Sequence, residues 1–331
     1  MDRRDFLQRG AAALLAAAAP RAFGAPATEK AARVKTGGIE MIPVDGKYRV
    51  WTKKVGSGKT KMLLLHGGPG CTHEYFECFE DFLPQAGVTF YYYDQLGSFY
   101  SDQPDDKSLW TVDRFREEVE QVRKGLGLDG FVLYGHSWGG MLGIEYALKY
   151  PQHLKGLVIS NMTASIPSYM AYMDVLRHRL PAADVKTLEK YEAEGKYEAP
   201  EYQAIVYGKL YKEHLCRLDP WPDPVERTFK HLAAPVYNTM QGANEFVVTG
   251  NFKSWDRWAD LPKIKVPTLV SVGRHDEMKV EDIQRMGKLI PNARVSVCEN
   301  GSHLSMYDDQ EAYFRDLVKF VRDVGAGAKK A

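Results

Sequence analysis

A chain of 331 residues is long enough for one large domain, or for a large domain with an inserted subdomain. Hydrophobic residues at 44% and charged residues at 26% are ordinary for a globular protein. Lys and Arg (44) nearly balance Asp and Glu (43), and a net charge of +1 gives no case for nucleic acid or another acidic polymer as partner.

The first 27 residues read as a targeting segment rather than as fold. Arg3-Arg4-Asp5-Phe6-Leu7-Gln8 resembles a twin-arginine export signal, and an alanine-rich run follows from Gly10 to Ala19. That run is shorter than the ~20 apolar residues a membrane span needs. Small residues allow cleavage after Ala25 or Ala27. The expected location is the periplasm or outside the cell, with no stable membrane insertion. An oxidising compartment permits disulfides among Cys71, Cys78, Cys216 and Cys298, but their spacing fixes no pairing. No Cys-x-x-Cys or His-rich cluster calls for a metal, and no cofactor is implied.

Strand-like and helix-like runs then alternate. Tyr48–Thr52 alternates polar and apolar residues, as a half-buried strand does. Lys61–Leu65 is an apolar run that ends in His66-Gly67-Gly68-Pro69-Gly70. A helix is expected over Tyr75–Leu83, and a strand over Val88–Tyr93 that ends at Asp94-Gln95. Val112, Phe115, Val119, Val122 and Leu126 recur at helical spacing. The strand Phe131–Tyr134 runs into Gly135-His136-Ser137-Trp138-Gly139, and a helix follows from Met141 to Tyr150. Gly156–Ser160 is a further buried strand. From 161 to 265 the chain reads as helical or irregular, with Asp219–Pro224 extended or turning on its prolines. Sheet-like runs return at Val266–Val272 and Ala293–Val297, and a last helix is expected over Asp309–Val324. The pattern predicts an α/β fold with a mostly parallel central sheet and helices on both faces. Residues 28–160 and 266–325 would form the core and 161–265 a helical cap over the carboxyl ends of the strands, with 326–331 a frayed tail.

Gly135-x-Ser137-x-Gly139 between a strand and a helix is the context in which a tight turn lifts a serine hydroxyl clear of a sheet. Acyl transfer by serine needs a base to take its proton and a carboxylate to orient that base. In the α/β-hydrolase arrangement the chain order is serine, acid, histidine. Asp276 and His303 follow the two returning strands in that order. His275 competes as the base, but it shares a loop with the acid. The glycines of 66–70 let backbone N–H groups approach a developing oxyanion, which assigns the hole to the N–H groups of Gly68 and Trp138. The loop lacks Gly-Lys-Ser/Thr, so it is not read as a phosphate loop.

His66-Gly67-Gly68-Pro69-Gly70, Asp94-Gln95-x-Gly97 and Gly135-x-Ser137-Trp138-Gly139-Gly140 together resemble the proline iminopeptidases, serine peptidases of the α/β-hydrolase fold, over about residues 38–325. Trp138 directly after the nucleophile is more specific to that family than Gly-x-Ser-x-Gly itself. Gln241-Gly242-Ala243-Asn244-Glu245-Phe246 resembles the family's Gly-Pro-Asn-Glu-Phe segment. The resemblance implies that Glu245 and Glu277 hold the free amino group of a substrate. Two carboxylates in a partly dry cleft would do so by charge-assisted hydrogen bonds and would exclude internal peptide segments. Ala243 replaces the family's proline, and Phe99 stands where many members have glycine, which leaves substrate choice more open than mechanism. The expected function is an exported aminopeptidase acting on short peptides with a free N-terminus, preferentially at proline, with Trp221, Tyr237 and Phe246 walling a small pocket. The alternatives are an amino-acid amidase or esterase with the same triad, or a non-catalytic ligand-binding hydrolase fold.

Overall fold

The computed structural model describes residues 36–327. The expected export signal and residues 328–331 of the tail lie outside the described residues. The strands are β1 (Ile39–Val44), β2 (Tyr48–Val55), β3 (Thr60–Leu65), β4 (Val88–Tyr93), β5 (Phe131–His136), β6 (Leu154–Ser160), β7 (Gly242–Asn244), β8 (Val247–Val248), β9 (Thr268–Gly273) and β10 (Ala293–Cys298). Eight of them form one sheet in the order β1-β2-β4-β3-β5-β6-β9-β10. The contacts from β4 to β10 are parallel, and β2 runs antiparallel to both of its neighbours.

The continuous apolar runs explain the parallel centre. Every residue of β4, β5 and β9 is buried, which requires cover on both faces. Alternate residues feed two cores. Leu63, Tyr91 and Leu133 join one, with Phe115 and Val119 of the helix Val112–Gly125 and Ile283 of the helix Val280–Leu289. Met62, Tyr92 and Val132 join the other, with Phe314 and Leu317 of the helix Gln310–Gly325. Each large side chain so buried contributes about 1.5–3 kcal/mol relative to exposure.

The structure differs from expectation at four places. Ile39–Val44 is a strand, at the sheet edge, where Pro43 is tolerated. The 75–83 helix is a 3₁₀ segment over His73–Asp81. The proline run does not stay extended to Pro224: a helix begins at Asp223, where proline's fixed φ and missing N–H suit a first turn. Residues 161–265 also hold a small hairpin, β7–β8, besides helices such as Ile166–Arg177, Ala182–Ala193 and Ala234–Met240. Among the described residues no helix is long and apolar enough to cross a membrane.

Parallel order places the ends of β3, β5, β9 and β10 on one edge of the sheet. The loops 66–70, 274–279 and 299–304 and the turn at Ser137 all leave from that edge.

Candidate active site

Ser137 sits between the end of β5 and a helix that begins at Trp138, with φ 55° and ψ −129°. A positive φ in a residue other than glycine costs about 1–3 kcal/mol and persists only where its surroundings impose it. The two flanking glycines are required by space. A Cβ on Gly135 would lie 2.0 Å from the Gly139 carbonyl oxygen, and one on Gly139 would lie 2.1 Å from the Leu65 carbonyl oxygen. Ser137 N–H is anchored on the Ser160 carbonyl at 2.9 Å. The serine lines a cleft of about 350 Å³ of open space with Gly68, Glu245 and His303.

Asp276 and His303 come from the loops after β9 and β10 and are almost wholly buried. His303 Nδ1 lies 2.9 Å from Asp276 Oδ1. The same oxygen accepts from Met278 N–H at 3.0 Å, and Oδ2 accepts from the Asn161 amide at 2.7 Å. A carboxylate oxygen can only accept, so Nδ1 carries a proton and Nε2 is the nitrogen that gains or loses one. His275 turns away to Glu213, 3.3 Å distant and half exposed. Burial disfavours the charge on His303, but the carboxylates of Glu277, Asp276 and Glu245 outweigh it and raise the ring to about 9. No hydrogen bond joins the Ser137 hydroxyl to His303 among the described residues; such contacts commonly tighten only with substrate bound.

The 66–70 loop is tied to both partners. Gly67 N–H donates to the Tyr75 hydroxyl at 2.7 Å, which meets His136 Nδ1 at 3.1 Å, and His136 Nε2 lies 2.8 Å from the His303 carbonyl oxygen. The carbonyl fixes the tautomer: Nε2–H donates, so Nδ1 accepts from Tyr75. Burial holds His136 well below the usual imidazole value and keeps it neutral. Gln95 joins the same loop to Trp138: its amide donates to the His66 carbonyl at 3.1 Å and accepts from the Trp138 indole N–H at 2.8 Å. Trp138 is the first helical residue, so its backbone N–H has no intrahelical acceptor. Gly68, at φ 105°, lines the cleft beside Ser137.

The two glutamates come together through the inserted segment. Tyr169 directs its hydroxyl to the Glu245 carbonyl oxygen at 2.6 Å and lies 3.2 Å from Glu277 Oε1. Tyr237 donates to Glu245 Oε1 at 2.7 Å. Glu277 Oε1 is 3.8 Å from His303 Nδ1. Burial raises both carboxyl groups, Glu277 to about 8.

Ser137, Gly68, Glu245 and His303 thus share one cleft, with Asp276 and Glu277 beside the imidazole. The aromatic walls differ from expectation. Phe229 and Tyr75 line the cleft, while Trp221 packs behind Phe229 and Phe246 lies against Tyr211. Phe99 is outside it, half exposed and stacked on His231 at 3.9 Å. Tyr75, His136, Asn161 and Tyr169 were not singled out from sequence. The one signal for His136 and Asn161 was their place at strand ends on the functional edge. All four cysteines are free; Cys71 borders the cleft, and burial pushes its thiol up. Among the described residues no group of three or more His, Cys, Asp and Glu side chains is placed to hold a metal ion.

Residues 61–310 match the model of the α/β hydrolase fold family. The proline iminopeptidase of Flavobacterium johnsoniae is 47% identical over 291 residues, covering 86% of this chain and 98% of the relative. The crystal structure of VinJ superposes with a TM-score of 0.83 at 37% identity, over 86% of this chain and 98% of that one. The proline iminopeptidase of Mycobacterium smegmatis gives a TM-score of 0.81 at 30% identity, over 87% and 99%. The chain belongs to the proline iminopeptidase family of α/β-hydrolases.

Proposed function

We propose that this chain is a serine aminopeptidase that releases N-terminal residues, preferentially proline, from short peptides through an acyl-enzyme intermediate. The observation that carries the reading is the gathering of Glu245 and Glu277 around the His303–Asp276 pair, beside Ser137. A serine hydrolase needs only the pair; two further carboxylates next to the base, Glu277 buried and Glu245 partly so, give the site a cation to recognise, and a peptide's N-terminus is a cation beside its first carbonyl.

In this mechanism Ser137 Oγ attacks the carbonyl of the N-terminal residue, and His303 Nε2 takes its proton. Asp276 holds the ring and the imidazolium that forms. The N–H groups of Gly68 and Trp138 receive the oxyanion, each such donor being worth about 10²–10³ in rate. The C–N bond then breaks as His303 returns the proton to the leaving amine. Water, deprotonated by the same histidine, hydrolyses the ester. Glu245 and Glu277 hold the ammonium, with residues 161–265 acting as the cap that brings Glu245 over the core of 28–160 and 266–325. Arg3-Arg4 and the alanine-rich run support export by the twin-arginine route to the periplasm or beyond.

The test is a substrate panel with an active-site probe. A fluorophosphonate labels Ser137 in the wild type and not in Ser137→Ala. Proline p-nitroanilide is turned over faster than other aminoacyl p-nitroanilides, prolinamide or an acetyl ester. Faster turnover of the amide or the acetyl ester moves the reading to an amidase or esterase.

A further inference from the structure

Glu277 occupies a position that disfavours a bare carboxylate. It is fully buried, and its Oε2 has no hydrogen-bond partner among the described residues. Its Oε1 meets the Tyr169 hydroxyl at 3.2 Å. A phenol has one proton to donate. The Glu245 carbonyl oxygen, 2.6 Å from that hydroxyl, can only accept, so the Tyr169 proton is committed there. The 3.2 Å contact is then a hydrogen bond only if Glu277 supplies the proton. The other titratable groups facing Glu277 are Asp276 on its own loop, His303 after β10, and Glu245 and Tyr211 of the inserted segment. Asp276 and Glu245 oppose a further negative charge. His303, the cation former whose charge acts on Glu277, directs its Nδ1 proton to Asp276.

We propose that in the unliganded protein Glu277 is held as the neutral acid, with its proton directed at the Tyr169 hydroxyl, and that capture of a peptide's N-terminal ammonium expels this proton to solvent. The inference rests on the reading of Glu245 and Glu277 as the amino-terminus site and adds the protonation state and its coupling to capture. Burial favours the neutral acid in the same direction.

The balance is one proton out for one ammonium in. The Glu277 O–H bond breaks, the proton passes to water, and the carboxylate left behind accepts from the ammonium N–H. The position is uncharged when empty and a neutral ion pair when filled. Among the charges that keep a proton on His303, Glu277 is the largest. With that charge cancelled in both states, His303 never faces a lone Glu277 carboxylate and remains available as the base. A ligand without an ammonium has nothing to exchange for the proton.

The experiment uses the full-length Ser137→Ala protein, which cannot turn substrate over. L-Prolinamide is titrated calorimetrically at about pH 6.5, where its own amine is charged because α-amino groups ordinarily titrate near 7.7–8.0. Repeating the titration in buffers of different ionisation enthalpy counts the protons released. About one proton per ligand is expected from Ser137→Ala, and about none from Ser137→Ala combined with Glu277→Gln. An infrared difference spectrum of Ser137→Ala gives the second readout: the C=O stretch of an un-ionised carboxyl group disappears on binding. Binding without proton release, release undiminished by Glu277→Gln, or no such band each overturns the proposal and leaves the aminopeptidase reading standing. If N-acetylprolinamide binds as tightly as prolinamide, the amino-terminus reading fails and the proposal with it.

Discussion

The ring of His136 donates to the main-chain carbonyl of His303 at 2.8 Å, so the residue just before the serine turn holds the loop that carries His303. Tyr75 extends the chain to Gly67, and the 66–70 loop is fixed against the same strut. Changing Tyr75→Phe removes the acceptor for Gly67 N–H and the donor to His136 in a fully buried place. Leaving such groups unpaired costs about 1–3 kcal/mol of stability. Catalysis should fall about tenfold in kcat, less than outright loss of an oxyanion donor, with KM changed little. Denaturant unfolding and steady-state kinetics on one preparation check both numbers.

Asp276 accepts from Met278, Asn161 and His303 together. Asp276→Asn keeps the shape but presents an amide, which favours the wrong tautomer of His303. A loss of about 10⁴ in kcat is expected by analogy with other serine triads. Asn161→Ala removes one of the three donors and should cost far less. Its effect belongs in kcat, not in binding, and an active-site titration beside the kinetics separates the two.

The acid limb of the pH profile follows from His303. Burial lowers its value and its carboxylate neighbours raise it, Glu277 most, and only the neutral ring can take the serine proton. With Glu277 neutral in the free protein, the kcat/KM of a free-amine substrate should rise with pH through a point below about 9, the value that all three carboxylates together would give. A limb at or above about 9 contradicts this.

Glu277 makes a stability prediction of definite sign. Its folded value is raised, to about 8, above an unfolded value of about 4.3. A raised group contributes stability at low pH that is lost as the pH climbs from the unfolded value to the folded one. Glu277→Gln has no such loss. Its melting temperature relative to wild type should rise steadily between about pH 5 and pH 8, with a ceiling of about 1.4 kcal/mol per pH unit. A flat difference across that range contradicts it.

The core sheet was legible because its signals are local. Continuous apolar runs at β3, β4, β5 and β9 mark buried parallel strands, and the glycines at 135 and 139 mark a turn with no room for Cβ. Ser137, Asp276 and His303 stood out because each follows a strand, in one order. β7 and β8, of three and two residues, are too short for any periodicity to register. Tyr75, Asn161 and Tyr169 act through contacts between elements far apart in the chain: Tyr169 is 108 residues from Glu277 and Asn161 is 115 from Asp276. The complete burial of Glu277 has the same origin, since it depends on what the inserted segment covers.

The most direct test compares kcat/KM for proline p-nitroanilide and N-acetylproline p-nitroanilide in the wild type, Glu245→Gln and Glu277→Gln. An ammonium held by two carboxylates away from bulk water should favour the free amine by about 100-fold or more, equivalent to about 2.7 kcal/mol. Each glutamine variant should shrink that ratio mainly by slowing the free-amine substrate. Equal rates on the two substrates in the wild type, or a ratio untouched by both substitutions, would contradict the assignment of Glu245 and Glu277 to the amino terminus.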